Sequence, residues 1–334
     1  MKILGIESSC DETAAAVVED GNQILSSVVA SQNEIHAKHG GIVPELASRR
    51  HVSNVLRVIE DALAQAKITM KEVDAIAVTK GPGLIGSLLV GLSVAKAIAY
   101  SQKKPFLGVH HIEGHVEAAL LDQKRQPHFP LVGLVVSGGH TCIYRLPKRG
   151  TYEILGETRD DAAGEAFDKV SNLLGLGFPG GPAIQRAAET GNPSAIQFPR
   201  ANLKPTLDFS FSGIKTAVAV GIKKNGQPQG KALSDMAASF QEAVVDMLID
   251  TFFEAVERED NIQDVLICGG VAKNQVFRHR LEKEAGKRDL TLWMAPLDLC
   301  TDNAAMIAAA GYARLARGEC DDLTLNAQAT MPIG

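Results

Sequence analysis

The sequence predicts an α/β protein built from two similar domains. Three observations carry that reading. The chain has 334 residues, more than one ordinary core requires, with 45% apolar and 22% charged side chains. A three-strand meander followed by alternating helices and strands occurs twice, offset by about 130 residues. Small-residue loops close equivalent strands in both halves. The identity between the halves is poor, and the likeness lies in the order of elements. One large doubly wound sheet is the competing architecture.

The first meander is "KILGIESS", "AAAVVED" and, after the turn "GNQ", "ILSSVVAS". A helix follows in "PELASRRHVSNVLRVIEDALAQA". Then come a strand ("VDAIAVTKGPG"), a helix over 84–101, a strand ("FLGVHH") and a helix that carries histidines. The second meander is "PLVGLVVSGGHT", "TCIYRL" and "TYEILGETRDD", with "PKRG" as a turn. Helices are expected at about 163–174 and 182–190, an insertion at about 191–230, and a long helix at about 231–258. The strands "DVLICGGVAKN" and "LTLWMAP", with a helix between them, lead to a final helix over 302–317.

Composition narrows the function classes. A net charge of -5 and a pI near 6.0 leave no strongly basic nucleic-acid binder in view, so any such site is a local patch or a partner's. Cys10, Cys142, Cys268, Cys300 and Cys320 are dispersed, odd in number and without C-x-x-C, as expected of a reducing cytoplasm. "MKILGIESSCDET" turns polar too soon for a signal peptide. "GLIGSLLVGLSVAKAIAY" is broken by glycines and Lys96 and reads as a buried helix, not a membrane span.

The loops carry the chemistry. "IESSCDET", "VVSGGHT" and "CGGVAKN" offer free backbone N–H groups to phosphate oxygens, although tight turns need glycine in any case. "FPGGPAIQ" adds a Gly-Gly turn, with Pro182 suited to a helix start. In "RDDAAGEAFDKVSNLLGLG", Asp161, Glu165 and Asp168 share a helical face. Acids in a first turn usually suit the helix dipole, but Asp168 lies past it and could accept from a substrate hydroxyl or amine.

"GVHHIEGHVEAALL" places His111 and His115 four apart, on one face, where they can share an ion. The peptidase pattern H-E-x-x-H puts its Glu directly after the first His. Here Glu113 is two residues from each His, about 200° around the helix, and Glu117 fails in the same way. The alternative is a helix whose histidines bind nothing. Asp302 in "CTDNAAMIAAAG" sits where a helix cap is expected, yet as a hard oxygen ligand it would complete a His, His, Asp site.

Ten motifs stand in order from Leu4 to about Ala310: "GIESSCDET", "GGIVPELASRRH", "GPGLIGSLLVGLSVAK", "HHIEGH", "VVSGGHT", "DDAAGEAFDKV", "GFPGGP", "FSFSGIKTA", "CGGVAKN" and "CTDNAAMIA". Together they closely resemble the bacterial tRNA N(6)-adenosine threonylcarbamoyltransferase (TsaD) family, formerly called O-sialoglycoprotein endopeptidase. The resemblance implies the fold of actin, sugar kinases and heat-shock ATPases: duplicated domains around a nucleotide cleft, the first over 1–128 with a helix at about 302–334 packing back on it, the second over 129–301. It implies a cytoplasmic acyl-type transferase that moves threonylcarbamoyl from threonylcarbamoyl-adenylate to the exocyclic amine of adenosine 37, in tRNAs reading ANN codons.

The same resemblance implies one divalent metal per subunit, iron(II) or zinc, on His111, His115 and Asp302. It implies substrate contacts at Val135, Val136, Ser137, Gly138, Gly139, Asp168, Gly181 and Asn274, and catalytic roles in the first loop for Asp11 and Glu12. It implies a TsaB-type paralogue and a TsaE-type ATPase as partners, and no membrane. Many members carry an acid where this chain has Gln185, a departure at one expected substrate contact. Three other readings stand beside it: a metallopeptidase, which the placement of Glu113 opposes; a small-molecule kinase, which leaves the histidines idle; and an actin-like scaffold.

Overall fold

The computed structural model describes residues 1–123 and 125–333. They divide into two units, Met1–Gln126 with Ala295–Gly334, and Pro127–Met294.

The first unit is a five-stranded sheet with helices on both faces. Its strands are β1 (Lys2–Glu7), β2 (Glu12–Glu19), β3 (Gln23–Ser31), β4 (Ala75–Gly81) and β5 (Phe106–His110), in the order β3-β2-β1-β4-β5. The meander pairs are antiparallel, while β4 and β5 run parallel to β1 because helices α2 (Pro44–Ala66) and α3 (Ile85–Gln102) intervene. A short helix α1 (Asn33–Ala37) precedes α2. Helix α4 (His111–Ala118) leaves the end of β5 directly, and α10 (Ala304–Ala316) closes the unit.

Strand alternation decides what each face meets. Leu4 and Ile6 join Val55, Val58, Ile59, Leu92 and Ala95 of α2 and α3 in one core cluster. Ile3, Gly5 and Glu7 therefore face the other side, towards α10. Gly5 is required there: a Cβ would lie 2.2 Å from the Ala304 carbonyl oxygen. Helix α3 is long and apolar enough to cross a bilayer by length and composition, but Leu88, Gly91, Leu92, Ala95 and Ala99 are buried against its own unit.

The second unit repeats the topology with β6 (Leu131–Val136), β7 (Thr141–Lys148), β8 (Thr151–Glu157), β9 (Asp264–Cys268) and β10 (Thr291–Met294), ordered β10-β9-β6-β7-β8. The meander is again antiparallel and the later strands parallel. Its helices are α5 (Ala163–Leu173), α6 (Gly180–Ala188), α7 (Ser212–Asn225), α8 (Gly230–Arg258) and α9 (Gln275–Lys287). The stretch expected to be an insertion thus contains a full helix, α7, which buries only Ile214 and Val218.

Candidate active site

The end of β5 delivers the histidines. His111 and His115 lie one turn apart on α4, ring centroids 4.7 Å apart and nearly perpendicular. Their Nε2 atoms are 3.5 and 3.2 Å from Asp302 Oδ1. Among the described residues these three are the group of His, Cys, Asp or Glu placed to share an ion, with one ligand atom from each all within 4.8 Å. Two features of the sequence bring them together. Gly114 lets α4 lie close on α10, since a Cβ would sit 2.9 Å from Ile307 Cδ1. Asn303, not Asp302, caps α10 by accepting from Met306 N at 3.0 Å. The capping role expected of Asp302 belongs to its neighbour, and the Asp302 carboxylate turns to the histidines instead.

A second layer orients the first. Buried Glu7, at the end of β1, accepts from His111 Nδ1 at 3.1 Å and from Thr79 Oγ1 at 2.6 Å. A carboxylate partner fixes the proton on Nδ1 and leaves Nε2 directed at Asp302 and His115. Ser9 Oγ lies 3.2 Å from the same Nδ1. Burial alone would lower the His111 pKa, but Asp302 and then Glu7 outweigh it and raise it to about 9. Burial would raise that of Glu7, and His111 overrides it, so Glu7 stays below its ordinary value. The centre is built to hold positive charge, whether a proton or a metal ion.

His115 gives the sharper test of fit. It is fully buried, and neither ring nitrogen makes a hydrogen bond. A buried polar atom without a partner costs about 1–3 kcal/mol. An ion shared by His111 Nε2, His115 Nε2 and Asp302 would supply a partner for Nε2, and two imidazoles with one carboxylate suit iron(II) or zinc.

The acids between the histidines lie elsewhere. Glu113 is buried beside Glu117, with Arg314, Arg317 and Glu319 as its charged neighbours. Burial, then the Glu117 carboxylate, push its pKa up to about 7. Asp11 belongs to the loop between β1 and β2, where burial and then the nearby Asp302 carboxylate raise its pKa. Glu12 starts β2 and accepts from Ser31 Oγ at 2.9 Å. His51 of α2 fastens this loop, with Nδ1 2.8 Å from Thr13 Oγ1 and Nε2 2.9 Å from the Cys10 carbonyl.

The other candidates all lie in the second unit, around one end of its sheet. Val135 and Val136 are fully buried, backbone included, and lead into the turn that reaches the surface after them. The turn after them is closed by Ser137 N donating to His140 O and His140 N donating to Ser137 Oγ. Gly138 and Gly139 have open space where a side chain would stand, as does Gly181. Gly164 of α5 packs on the Ser137 carbonyl, which a Cβ would approach to 2.6 Å. Asp168 accepts from Gly180 N at 2.6 Å and so holds the start of α6. Asn274 caps α9 through Phe277 N and donates to Gln241 Oε1 at 2.7 Å. Gln185 accepts from Gln275 N at 2.9 Å, so it ties α6 to α9. β9 runs parallel to β6, and Gly269 lies against Val136, where a Cβ would come within 2.4 Å of its carbonyl oxygen.

Sequence reasoning missed Glu7, Ser9, Thr79 and His51. Glu7 carried a readable signal: it is a charged residue at an inward position of an otherwise apolar strand, where burial demands a partner.

With this geometry in place, comparison with known proteins gives consistent results. The sequence profile of the TsaD family, described as tRNA N6-adenosine threonylcarbamoyltransferase, matches residues 23–309. The protein of that name from Syntrophus aciditrophicus is 50% identical over 334 residues, covering 100% of this chain and 98% of its own. That of Syntrophobacter fumaroxidans is 53% identical over 319 residues, covering 93% and 94%. Among solved structures, T. kodakarensis HypF superposes with a TM-score of 0.63 at 14% identity, over 95% of this chain and 48% of that one. Component A of the Acidaminococcus fermentans (R)-2-hydroxyglutaryl-CoA dehydratase gives 0.56 at 15% identity, over 95% and 99%. At such identities the structural likeness concerns the fold alone, and that fold is the actin-like fold of ATPases and sugar kinases.

Proposed function

The chain belongs to the tRNA N6-adenosine threonylcarbamoyltransferase family, and from that premise we propose that it moves threonylcarbamoyl from threonylcarbamoyl-adenylate to the exocyclic amine of adenosine 37 in tRNAs reading ANN codons. It is a transferase of tRNA modification; the donor, the nucleotide position, the metal and a cytoplasmic setting are our reading. The observation that carries the metal is the convergence of His111, His115 and Asp302, with the buried His115 ring making no aligned hydrogen bond although its Nε2 lies 3.2 Å from Asp302 Oδ1.

In the reaction a bond forms between the adenosine N6 and the carbamoyl carbon. The bond from that carbon to the phosphate oxygen breaks, AMP leaves with the electron pair, and the amine loses a proton. His111, His115 and Asp302 would hold one divalent ion, iron(II) before zinc, with Glu7 fixing the His111 tautomer. When bound, the ion supplies Lewis-acid polarisation of the acyl phosphate. The adenylate we assign to Val135, Val136, Ser137, Gly138, Gly139, Asp168, Gly181 and Asn274, where the open space at Gly138, Gly139 and Gly181 lets a ligand come close to the backbone. Asp11 is our choice for the amine proton, because it lies in the loop after β1 and burial makes its carboxylate a stronger base. Glu12, held by Ser31, supports the same loop.

We also assign a TsaB-type paralogue and a TsaE-type ATPase as partners, in keeping with a net charge of -5 that disfavours tRNA binding by this chain alone. The test is a strain depleted of the protein, with nucleosides read from its tRNA. The wild-type gene should restore threonylcarbamoyladenosine, and a gene encoding His111→Ala with His115→Ala should not. Restoration by the double variant would refute the metal centre, and normal nucleosides in the depleted strain would refute the function.

A further inference from the structure

Residues 319–331 form a strap along the first unit. Strand β5 is the outermost strand of its sheet, and an open edge leaves unpaired backbone groups. The strap satisfies two of them: Asp321 N donates to Phe106 O at 2.8 Å, and Asp321 Oδ2 accepts from Gly108 N at 2.8 Å. It then crosses to the turn between β4 and α3. Gln328 N donates to Lys80 O at 2.8 Å, and Gly83 N donates to Ala329 O at 3.1 Å. Gly81 makes room, since a Cβ there would lie 2.2 Å from the Gln328 carbonyl oxygen. The strap reaches the histidine helix at Met331, whose carbonyl lies 3.1 Å from His110 Nε2.

His110 is also the cap of α4. Its Nδ1 accepts from Ile112 N at 3.1 Å. That acceptor role places the ring proton on Nε2, which therefore donates to Met331 O. Histidine is not a favoured cap, and Asn, Asp or Ser would satisfy Ile112 N as well. None of those short side chains spans from the helix to Met331. The ring is the element that joins the two.

We infer that His110 is a positioning residue: it couples the strap to the first turn of α4 and thereby holds His111 and His115 at Asp302. The inference deepens the metal reading and rests on it for its consequence in ion binding.

The experiment uses the whole protein with His110→Asn, which keeps a cap but loses the reach, a chain shortened to end at Ala329, which loses the acceptor, and the two combined. Hydrogen exchange of the amides at 112–115 and the affinity for cobalt(II), read from its visible spectrum, are measured for each. Either change alone should speed exchange about tenfold and weaken cobalt(II) binding about tenfold, as loss of a ligand-orienting partner does. The combination should do no more than either alone. Unchanged exchange in His110→Asn, or effects that multiply in the combination, would overturn the coupling. His115→Ala serves as the control: cobalt(II) held as tightly as in wild type would refute the metal centre, while exchange still decides the role of His110.

Discussion

Glu113 shares a helix with both proposed ligands and yet belongs to a different environment. Its neighbours are Glu117, Arg314, Arg317 and Glu319, on the side away from Asp302. Glu113→Gln should therefore leave transfer within about tenfold of wild type, or about 1.4 kcal/mol. His111→Ala should cost far more, because it removes a proposed ion ligand and the anchor of Glu7. A single-turnover transfer assay with proteolysis alongside decides it: a Glu113→Gln protein as inactive as His111→Ala, in a preparation that cleaves peptides, would support a peptidase instead. The same residue predicts a pH effect. Its pKa is raised from 4.5 to about 7, so its contribution to stability is complete below pH 4.5 and is lost as pH rises through 7. Glu113→Gln should match wild type at pH 4.5 and be more stable at pH 8, by on the order of 3 kcal/mol; urea unfolding at the two pH values measures this. The placement of Glu113 was legible in the sequence because helical period alone settles it. Asp302 was half legible: two adjacent cap-forming residues, Asp302 and Asn303, compete for one position, and only packing shows that Asn303 takes it.

Elements carry the site through close approach and through caps. α10 lies on β1 only because Gly5 has no side chain, and the atom a Cβ would strike is the backbone oxygen of Ala304. Backbone cannot turn aside as a side-chain tip can. Gly5→Ala should destabilise by about 3 kcal/mol or more and shift Asp302 away from the histidines, which urea unfolding and cobalt(II) titration would detect; wild-type values in both would refute the close approach. At the start of α9, Asn274 does two jobs, capping Phe277 N and donating to buried Gln241. Asn274→Ala should cost about 1–3 kcal/mol of stability and weaken a non-reacting adenylate about tenfold. Asn274→Ser should recover the cap but not the ligand, by calorimetry; full recovery of both would reduce Asn274 to a cap. Strands and long helices were legible because their periods are strong. α7 was not: Ile214, Val218 and Ile222 recur at helical spacing, but Gly213 and Gly221 and the apolar Ala219 and Val220 off that face blur the stripe.

At the scale of the whole molecule, the repeat of one sheet topology was legible from element order, since each meander is local in sequence. The parallel pairing of β1 with β4 and of β6 with β9 is not local, and follows only once a helix is seen to intervene. Charge is the other whole-molecule property, and it bears on how a tRNA is held. The chain has 34 basic and 39 acidic side chains. Several of the basic ones are occupied within the fold: Arg280 meets Glu242 and Asp246, Arg288 meets Glu257 and Glu284, and Lys169 meets Asp161 and Glu165. A cation already paired releases few counterions when it meets a phosphate. The chain alone should accordingly bind tRNA with a Kd of about micromolar or weaker near physiological salt, and lose affinity steeply as salt rises, because the remaining attraction is counterion release. Adding the partner proteins proposed above should tighten binding by supplying free cations and further surface. Filter binding at several salt concentrations, with and without partners, measures both effects; nanomolar, salt-insensitive binding by this chain alone would mean that base and shape contacts within it, rather than partners, hold the tRNA.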